Sequence, residues 1–134
     1  MYQAGTLSGN PLAVTAGLWS LQGLNATLYR TLERLSARLG DGLLAAAKRT
    51  GVPLQVNRVG SMITPFFTAD PVTDYVSATK SDTARYGAFH RAMLARGIYL
   101  PASQYEAWFL SGAHTDRHVA ATLAAAAAAF AEIV

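Results

Sequence analysis

Gly5-Thr6-Leu7-Ser8-Gly9-Asn10-Pro11 is typical of a loop that leads into a helix. Glycine adopts backbone angles that other residues resist, Asn10 is a favourable N-cap, and Pro11 suits the first helical position. Hydroxyls and backbone N–H groups at a helix start favour an anion, because the helix dipole places positive charge there. The alternative is a capped turn that binds nothing, in which the hydroxyls of Thr6 and Ser8 bond to local backbone.

Two helices are predicted directly after this loop. The first runs from Asn10 to about Gly23 and is apolar almost all round, which suggests burial on more than one side. The second runs from Asn25 to near Gly51, and we expect Gly40 and Gly42 to weaken its middle. Apolar residues recur in it every three or four positions, at Leu28, Leu32, Leu35, Leu39 and Leu43.

The periodicity then changes to two, which is typical of strands. Residues 54–67 predict one or two strands with a break at Gly60-Ser61, and Pro65 favours an edge or a bulge. Residues 70–79 are expected to form a polar loop. The remaining elements are, in order, a helix capped by Ser81 or Asp82 and ended by Gly97, a short strand over 98–100, a strand over 107–111, and a last helix from Thr115 or Asp116. The predicted fold class is α+β, a small antiparallel sheet covered by helices and preceded by a long helix.

Composition limits the classes of function. The chain has 134 residues, of which 51% are hydrophobic and only 14% charged, so we expect some apolar surface to face another domain or subunit. The net charge of +3 is spread over dispersed Lys and Arg residues, so we predict no nucleic-acid partner. Without cysteine, disulfides and thiolate metal sites are excluded. The Ala-rich run near the C-terminus is too short and weak to span a bilayer, so no membrane partner is expected.

Five stretches, residues 2–13, 56–62, 66–75, 99–107 and 113–115, resemble in order the glutamate-1-semialdehyde 2,1-aminomutase family. This family belongs to the class III aminotransferases, which have fold type I and use pyridoxal 5'-phosphate (PLP). The resemblance implies the C-terminal part of a longer chain. Residues 1–24 would be a loop and helix that link to a PLP-binding domain, and residues 25–134 would be the C-terminal small domain.

The same resemblance implies site residues. Gly5 and Thr6 would reach the PLP phosphate of the neighbouring subunit in a homodimer, and Glu106 would face the active site and hold the amino group of a small-molecule substrate. The family's Schiff-base lysine lies upstream, so no catalytic residue is expected in this chain. Lys48 and Lys80 are the two lysines present, and both are predicted to be solvated.

The residues around Glu106 favour a partly buried carboxylate and leave an exposed one as the alternative. It precedes an aromatic-rich strand with Trp108 and Phe109, so its carboxylate would be partly desolvated and its pKa raised. An exposed charge at a strand end is the alternative. Trp108 departs from the glycine that many members of the family carry, which puts the local shape in question.

The three histidines give weaker signals. We expect His114 to be a structural hydrogen-bonding group and His90 to be partly exposed on its helix. His114 and His118 are spaced as a metal-binding pair, but no third ligand is near in sequence, so no metal is predicted.

As a whole, the resemblance implies a cytoplasmic, homodimeric isomerase. It would move an amino group within one molecule and give 5-aminolevulinate for tetrapyrrole (porphyrin) biosynthesis. Two alternatives stay open. One is a class III aminotransferase that acts between two substrates, and the other is a non-catalytic basic module.

Overall fold

The structure is a computed structural model that describes residues 5–134; positions 2–4 of the stretch that resembles the aminomutases lie outside it. Within this range the chain forms five helices and a three-stranded antiparallel sheet with strand order β1-β2-β3. The predicted α+β class is confirmed. The elements are α1 (Pro11–Gly23), α2 (Ala26–Thr50), β1 (Gln55–Val59), β2 (Met62–Phe66), α3 (Tyr75–Ala78), α4 (Thr83–Ala95), β3 (Trp108–Phe109) and α5 (Asp116–Glu132).

Helix α2 is the longest element and begins and ends as predicted. The side chain of Asn25 accepts the backbone N–H of Leu28 at 3.0 Å, which satisfies one of the free donors of the first turn. Gly51 ends the helix in the left-handed conformation at φ 74°, where glycine carries no steric penalty. The face between these caps buries four of the five leucines of the predicted stripe, Leu32, Leu35, Leu39 and Leu43.

The two glycines in the middle of α2 do not interrupt it, and they allow close packing. A Cβ at Gly40 would lie 3.4 Å from the side chains of Ile63 and Val56, and one at Gly42 would lie 2.5 Å from Leu123. Glycine at position 42 therefore lets α5 approach the α2 backbone, and this contact offsets the helix propensity lost there, whereas a Cβ at position 40 would make an ordinary contact with the sheet.

The core lies where α2, α4, α5 and β2 meet. Aromatic rings from three parts of the chain pack together there, with the rings of Phe89 and Phe130 stacked at a centroid distance of 4.6 Å. Phe67 lies against both of them, at 5.4 and 6.0 Å. Such pairs stabilise a core beyond the area they bury. They join α4 and α5 to each other and to the residue that follows β2.

An exposed ion-pair cluster joins α2 to the start of α5. Two guanidinium nitrogens of Arg34 contact the carboxylate of Asp116 at 2.7 and 2.8 Å, and Arg38 contacts it at 2.6 Å. The hydrogen bonds from Arg34, and then those from Arg38, lower the pKa of Asp116 to about 2. The cluster therefore stabilises the contact between these helices only while Asp116 is ionised.

The prediction of Pro65 at an edge or a bulge needs correction. Pro65 lies in β2, which is the central strand, opposite Val56 of β1. Proline is tolerated because β3 pairs only with Met62 and Ile63, so β2 has no β3 partner at Pro65. The amide of Gln104 covers this part of β2 and donates to the Pro65 carbonyl at 2.6 Å.

Residues 98–100 do not form the predicted strand. Leu100 is buried, but its carbonyl is bonded to His90 Nε2 at 3.1 Å and the carbonyl of Pro101 accepts from the Tyr86 hydroxyl at 2.5 Å. These side chains hold the segment against α4, so its carbonyls do not join the sheet. The strand predicted over 107–111 is reduced to β3, followed by one further bond from the Leu110 N–H to Ser61.

The polar loop predicted over residues 70–79 contains the short helix α3. Asp74 caps it by accepting the backbone N–H of Ser77 at 2.7 Å, and the Ser77 hydroxyl oxygen accepts the Asp74 N–H at 3.0 Å. This capping box satisfies two donors reciprocally. It lowers the pKa of Asp74, chiefly through the backbone hydrogen bond from Ser77.

Helix α1 departs from the expectation of burial on more than one side. It has the predicted bounds, with Asn10 as N-cap, yet no residue of it is buried. Leu12 is 81% exposed and Trp19 is 72% exposed. The apolar surface inferred from composition is thus located on α1. Among residues 5–134, no helix combines the length and the apolar character needed to cross a bilayer.

Candidate cofactor loop and cleft

The loop over residues 5–10 is a pair of tight turns. The N–H of Ser8 donates to the carbonyl of Gly5 at 3.0 Å, and the N–H of Asn10 donates to that of Leu7 at 3.1 Å. Gly9 has a φ of 74°, which a residue with a side chain adopts only under strain. A Cβ at Gly5 would lie 2.8 Å from the Ser8 hydroxyl. The shape of the loop therefore requires glycine at position 9, whereas a side chain at position 5 would need the Ser8 hydroxyl to rotate away.

The loop also offers groups that suit a phosphate. Asn10 uses its side chain to cap α1, accepting the N–H of Ala13 at 3.1 Å. The hydroxyls of Thr6 and Ser8 make no hydrogen bond to any residue of the described range, and both residues are exposed. The alternative in which these hydroxyls bond to local backbone is wrong for residues 5–134. The loop thus presents the hydroxyls of Thr6 and Ser8 beside the N-terminus of α1, where the helix dipole favours an anion, and this arrangement fits the phosphate of PLP.

A cleft of about 520 Å³ lies between α2, β3 and α5. Its walls are mostly apolar, with Leu39 and Leu100 among them. Glu106, His114 and His118 add the polar groups. Most binding clefts combine an apolar lining with a few polar groups in this way.

Glu106 stands at the surface of this cleft. It is exposed, so the predicted desolvation of its carboxylate is wrong for this chain. Its N–H donates to the carbonyl of Ser103 at 3.2 Å, and its side chain makes no hydrogen bond within residues 5–134. The carboxylate is thus available to a cation, and its position depends on the backbone that carries it.

Trp108 forms part of the cleft wall and is 6% exposed, whereas Phe109 beside it is 65% exposed. Successive strand residues point to opposite faces of a sheet, which accounts for the difference. Trp108 therefore fills core volume between the sheet and the cleft. At position 108 this chain carries tryptophan, where the resemblance leads us to expect glycine.

Tyr86 is buried on α4 behind the cleft, and no signal in the sequence linked it to Glu106. Burial raises the pKa of its phenol, the neighbouring Trp108 side chain opposes the shift, and the charge of Glu106 adds to it. Tyr86 therefore stays a hydroxyl donor at neutral pH. It lies within electrostatic reach of Glu106.

The histidines serve local structure. His114 Nδ1 accepts the N–H of Ser111 at 3.0 Å, which confirms the predicted hydrogen-bonding role. His118 Nδ1 accepts the N–H of Thr115 at 3.3 Å as part of the capping box of α5. The two rings lie 6.1 Å apart, edge to face. In the part of the chain that the structure describes, no three His, Asp or Glu side chains are grouped to hold a metal ion.

The structure does not bring the two predicted sites together within one chain. The hydrogen bonds of the loop over residues 5–10 stay within the loop and α1, and no loop residue lines the cleft. Lys48 and Lys80 are both exposed and line neither the loop nor the cleft. Each site thus offers binding groups without a lysine beside them.

Comparison with curated proteins shows which enzymes share this sequence, although no protein-family model matches the chain. It is 61% identical over 125 residues to the glutamate-1-semialdehyde 2,1-aminomutase of Sorangium cellulosum, which covers 93% of this chain and 29% of that protein. The aminomutase of Anaeromyxobacter dehalogenans (strain 2CP-C) is 59% identical, over 98% of this chain and 31% of that protein. The aminomutase of Myxococcus xanthus is 57% identical, over 97% of this chain and 30% of that protein.

Solved structures share the fold. An omega-transaminase from Sphaerobacter thermophilus superposes with a TM-score of 0.85 at 26% identity, over 99% of this chain and 30% of that one. A glutamate-1-semialdehyde-aminomutase from Pseudomonas aeruginosa gives a TM-score of 0.73 at 20% identity, over 83% and 24%. The predicted resemblance is confirmed: over nearly its whole length the chain is homologous to part of the glutamate-1-semialdehyde 2,1-aminomutases, which are class III PLP aminotransferases. It spans about 30% of the length of these relatives.

Proposed function

We propose that this chain is part of a longer PLP-dependent glutamate-1-semialdehyde 2,1-aminomutase. The whole enzyme would move an amino group within one molecule and give 5-aminolevulinate for porphyrin biosynthesis, as a homodimer in the cytoplasm. The observation that carries the proposal is the identity of 51–61% to proteins of this name over nearly the whole chain. In this proposal residues 1–24 link to the PLP-binding domain and residues 25–134 form the small domain.

Gly5 and Thr6 would bind the cofactor phosphate. The supporting observation is that the Thr6 hydroxyl is exposed and makes no bond within the described range. Gly5 leaves the Ser8 hydroxyl in place beside it, since a Cβ there would lie 2.8 Å from that oxygen and make it rotate away. Hydrogen bonds to a charged phosphate are stronger than those between neutral groups. PLP, when bound, supplies an electron sink for carbanion chemistry, and this loop would hold it in place.

Glu106 would hold the substrate's amino group. Its carboxylate is exposed beside the cleft and makes no hydrogen bond within residues 5–134, so it can accept N–H donors from an ammonium. The apolar wall that includes Trp108 would exclude water on the other side. Glu106 would thus orient the substrate, while proton transfer would fall to the lysine outside this chain.

The homodimer would explain why the loop and the cleft are separate. A loop that serves the neighbouring subunit does not need to approach the cleft of its own chain. The exposed apolar surface of α1, with Leu12 and Trp19, directly follows that loop and would be covered by the PLP-binding domain and the neighbouring subunit. The residues that the chain exposes are then those that the whole enzyme would bury.

A second candidate is a class III aminotransferase that transfers the amino group between two substrates. The omega-transaminase with a TM-score of 0.85 favours it, as does Trp108 at a position where many aminomutases carry glycine. The two activities differ in whether an external amino acceptor is needed. One assay can therefore separate them.

The test is a chimera in which this chain replaces the matching segment of the Sorangium cellulosum relative, which is 61% identical to it. We expect the purified chimera to convert glutamate-1-semialdehyde to 5-aminolevulinate without an external acceptor. The unaltered relative is the positive control. A folded, PLP-loaded chimera that turns over only when an amino acceptor is added would replace the proposal by the second candidate, and one with neither activity would refute both.

A further inference from the structure

The segment over residues 99–106 carries Glu106 and has no helix or strand of its own. Its backbone is attached to α4 at two successive carbonyls. The Tyr86 hydroxyl donates to Pro101 at 2.5 Å, and His90 Nε2 contacts the Leu100 carbonyl at 3.1 Å. Tyr86 and His90 are four residues apart and therefore lie on one face of the helix. They form a two-point clamp.

The same segment is attached to the sheet on its other side. Gln104 is 3% exposed, donates to the Pro65 carbonyl at 2.6 Å and accepts from the Phe67 N–H at 3.5 Å. The N–H of Glu106 then returns to Ser103 at 3.2 Å. The Glu106 side chain has no bond of its own within the described range, so only these backbone attachments determine where its carboxylate stands.

The alternative is that Tyr86 only fills space in the core, in which case a phenylalanine would serve equally well. Two observations favour a role for the hydroxyl. It makes a short bond to a carbonyl of the segment that carries Glu106, and the charge of Glu106 acts on its proton affinity. Tyr86 is 2% exposed, so a phenylalanine would fill the same space and leave the Pro101 carbonyl without this donor.

We infer that Tyr86 is a positioning residue: through the Pro101 carbonyl, and with His90 on the Leu100 carbonyl, it fixes where the Glu106 carboxylate stands at the cleft. This inference rests on the proposed role of Glu106 in holding the substrate's amino group. It adds to that role a residue that touches neither substrate nor cofactor.

The first test measures kinetics in the chimera with the substitutions Tyr86→Phe, Glu106→Gln and both together. Loss of one hydrogen bond changes an equilibrium by about fivefold to tenfold, so we expect Tyr86→Phe to raise KM by about that factor with the PLP dissociation constant unchanged. Because Tyr86 acts through Glu106, the double variant should be no worse than Glu106→Gln alone. Tyr75→Phe is the matched control, since Tyr75 is 76% exposed on α3.

The inference would be overturned if the KM effects of Tyr86→Phe and Glu106→Gln multiply in the double variant. It would also be overturned if Tyr86→Phe leaves KM as the Tyr75→Phe control does. A Glu106→Gln variant with unchanged kinetics in an active chimera would also overturn it, and would leave the proposed aminomutase activity standing.

The second test needs no activity and uses amide hydrogen exchange of this 134-residue chain. In Tyr86→Phe we expect the Glu106 N–H to exchange about tenfold faster relative to the amides of the stable core around Phe89. Equal acceleration of all amides would show a loss of global stability alone and would overturn the positioning role. This result can be read even if the chimera is inactive.

Discussion

Gly42 of α2 is the position where a small substitution should have the most informative effect on stability. Replacing glycine by alanine inside a helix normally gains about 1 kcal/mol, because alanine loses less backbone entropy on folding. At Gly42, however, the new Cβ would lie 2.5 Å from both Cδ atoms of Leu123 and 3.0 Å from its Cγ. Rotation about the last torsion of Leu123 cannot move all three atoms away, so the whole side chain or α5 must shift.

The size of the effect follows from these two opposing contributions. Overpacking of this kind costs roughly 1–3 kcal/mol, and Leu123 is only partly buried, which places Gly42→Ala near the middle of that range. After the gain in helix propensity, we expect a net loss of about 1 kcal/mol. Gly40→Ala is the matched control. Its Cβ would make ordinary contacts at 3.4 Å, so it should gain about 0.5–1 kcal/mol.

Urea unfolding followed by far-UV circular dichroism measures both free energies of unfolding. A further comparison separates the collision from the helix propensity. In the Leu123→Ala protein the collision is gone, so adding Gly42→Ala should stabilise the fold by about 1 kcal/mol. A Gly42→Ala protein that is as stable as the Gly40→Ala protein would show that α5 does not approach α2 as described.

Three further outcomes are expected. The pKa of Asp116 is lowered from 3.8 to about 2 in the folded chain, so the stability it contributes is complete above about pH 5 and is lost as the pH falls towards 2; the difference in unfolding free energy between wild type and Asp116→Asn should therefore shrink over that range. Reduction of the isolated chain with borohydride in the presence of PLP should give no single stoichiometric adduct, because Lys48 and Lys80 are both exposed, and peptide mapping of one specific, catalytically active adduct would contradict this. Burial of apolar surface contributes about 25 cal/mol per Å², so the exposed face of α1 should drive concentration-dependent self-association of the isolated chain. Sedimentation that shows a monomer at every concentration, without binding of a hydrophobic dye, would count against this expectation.

Local signals in the sequence predicted most of the fold. Asn10 and Asn25 are N-caps, Gly51 ends α2, and the leucine stripe marks the buried face, because each of these effects acts within a few residues of the chain. The break at Gly60-Ser61 separates β1 from β2 for the same reason. Long-range pairing was not accessible in this way. Pro65 was assigned to an edge because a local rule cannot show how short its partner β3 is.

The candidate site was predictable only in part. The sequence predicted the loop before α1 as a candidate anion site, since hydroxyls, glycines and a helix start are adjacent in the chain, and the family resemblance singled out Gly5 and Thr6 within it. The environment of Glu106 was not: aromatic neighbours suggested desolvation, yet β3 contains only Trp108 and Phe109, and Glu106 lies before it in an exposed bend. Tyr86 escaped notice because its partner Pro101 is 15 residues away, and a hydrogen bond at that distance has no periodicity.

The most direct measurement is the PLP dissociation constant of the chimera with Thr6→Val, because the central claim is that this chain supplies a phosphate contact to the cofactor. Valine keeps the size of threonine and removes the hydroxyl. One charge-assisted hydrogen bond contributes roughly 1.5–3 kcal/mol, so PLP affinity should fall about tenfold to a hundredfold, with the free energy of unfolding of the apo protein unchanged. Thr6→Ser, which keeps the hydroxyl, should bind PLP nearly as the parent does. A Thr6→Val chimera with the parent's dissociation constant would contradict the account.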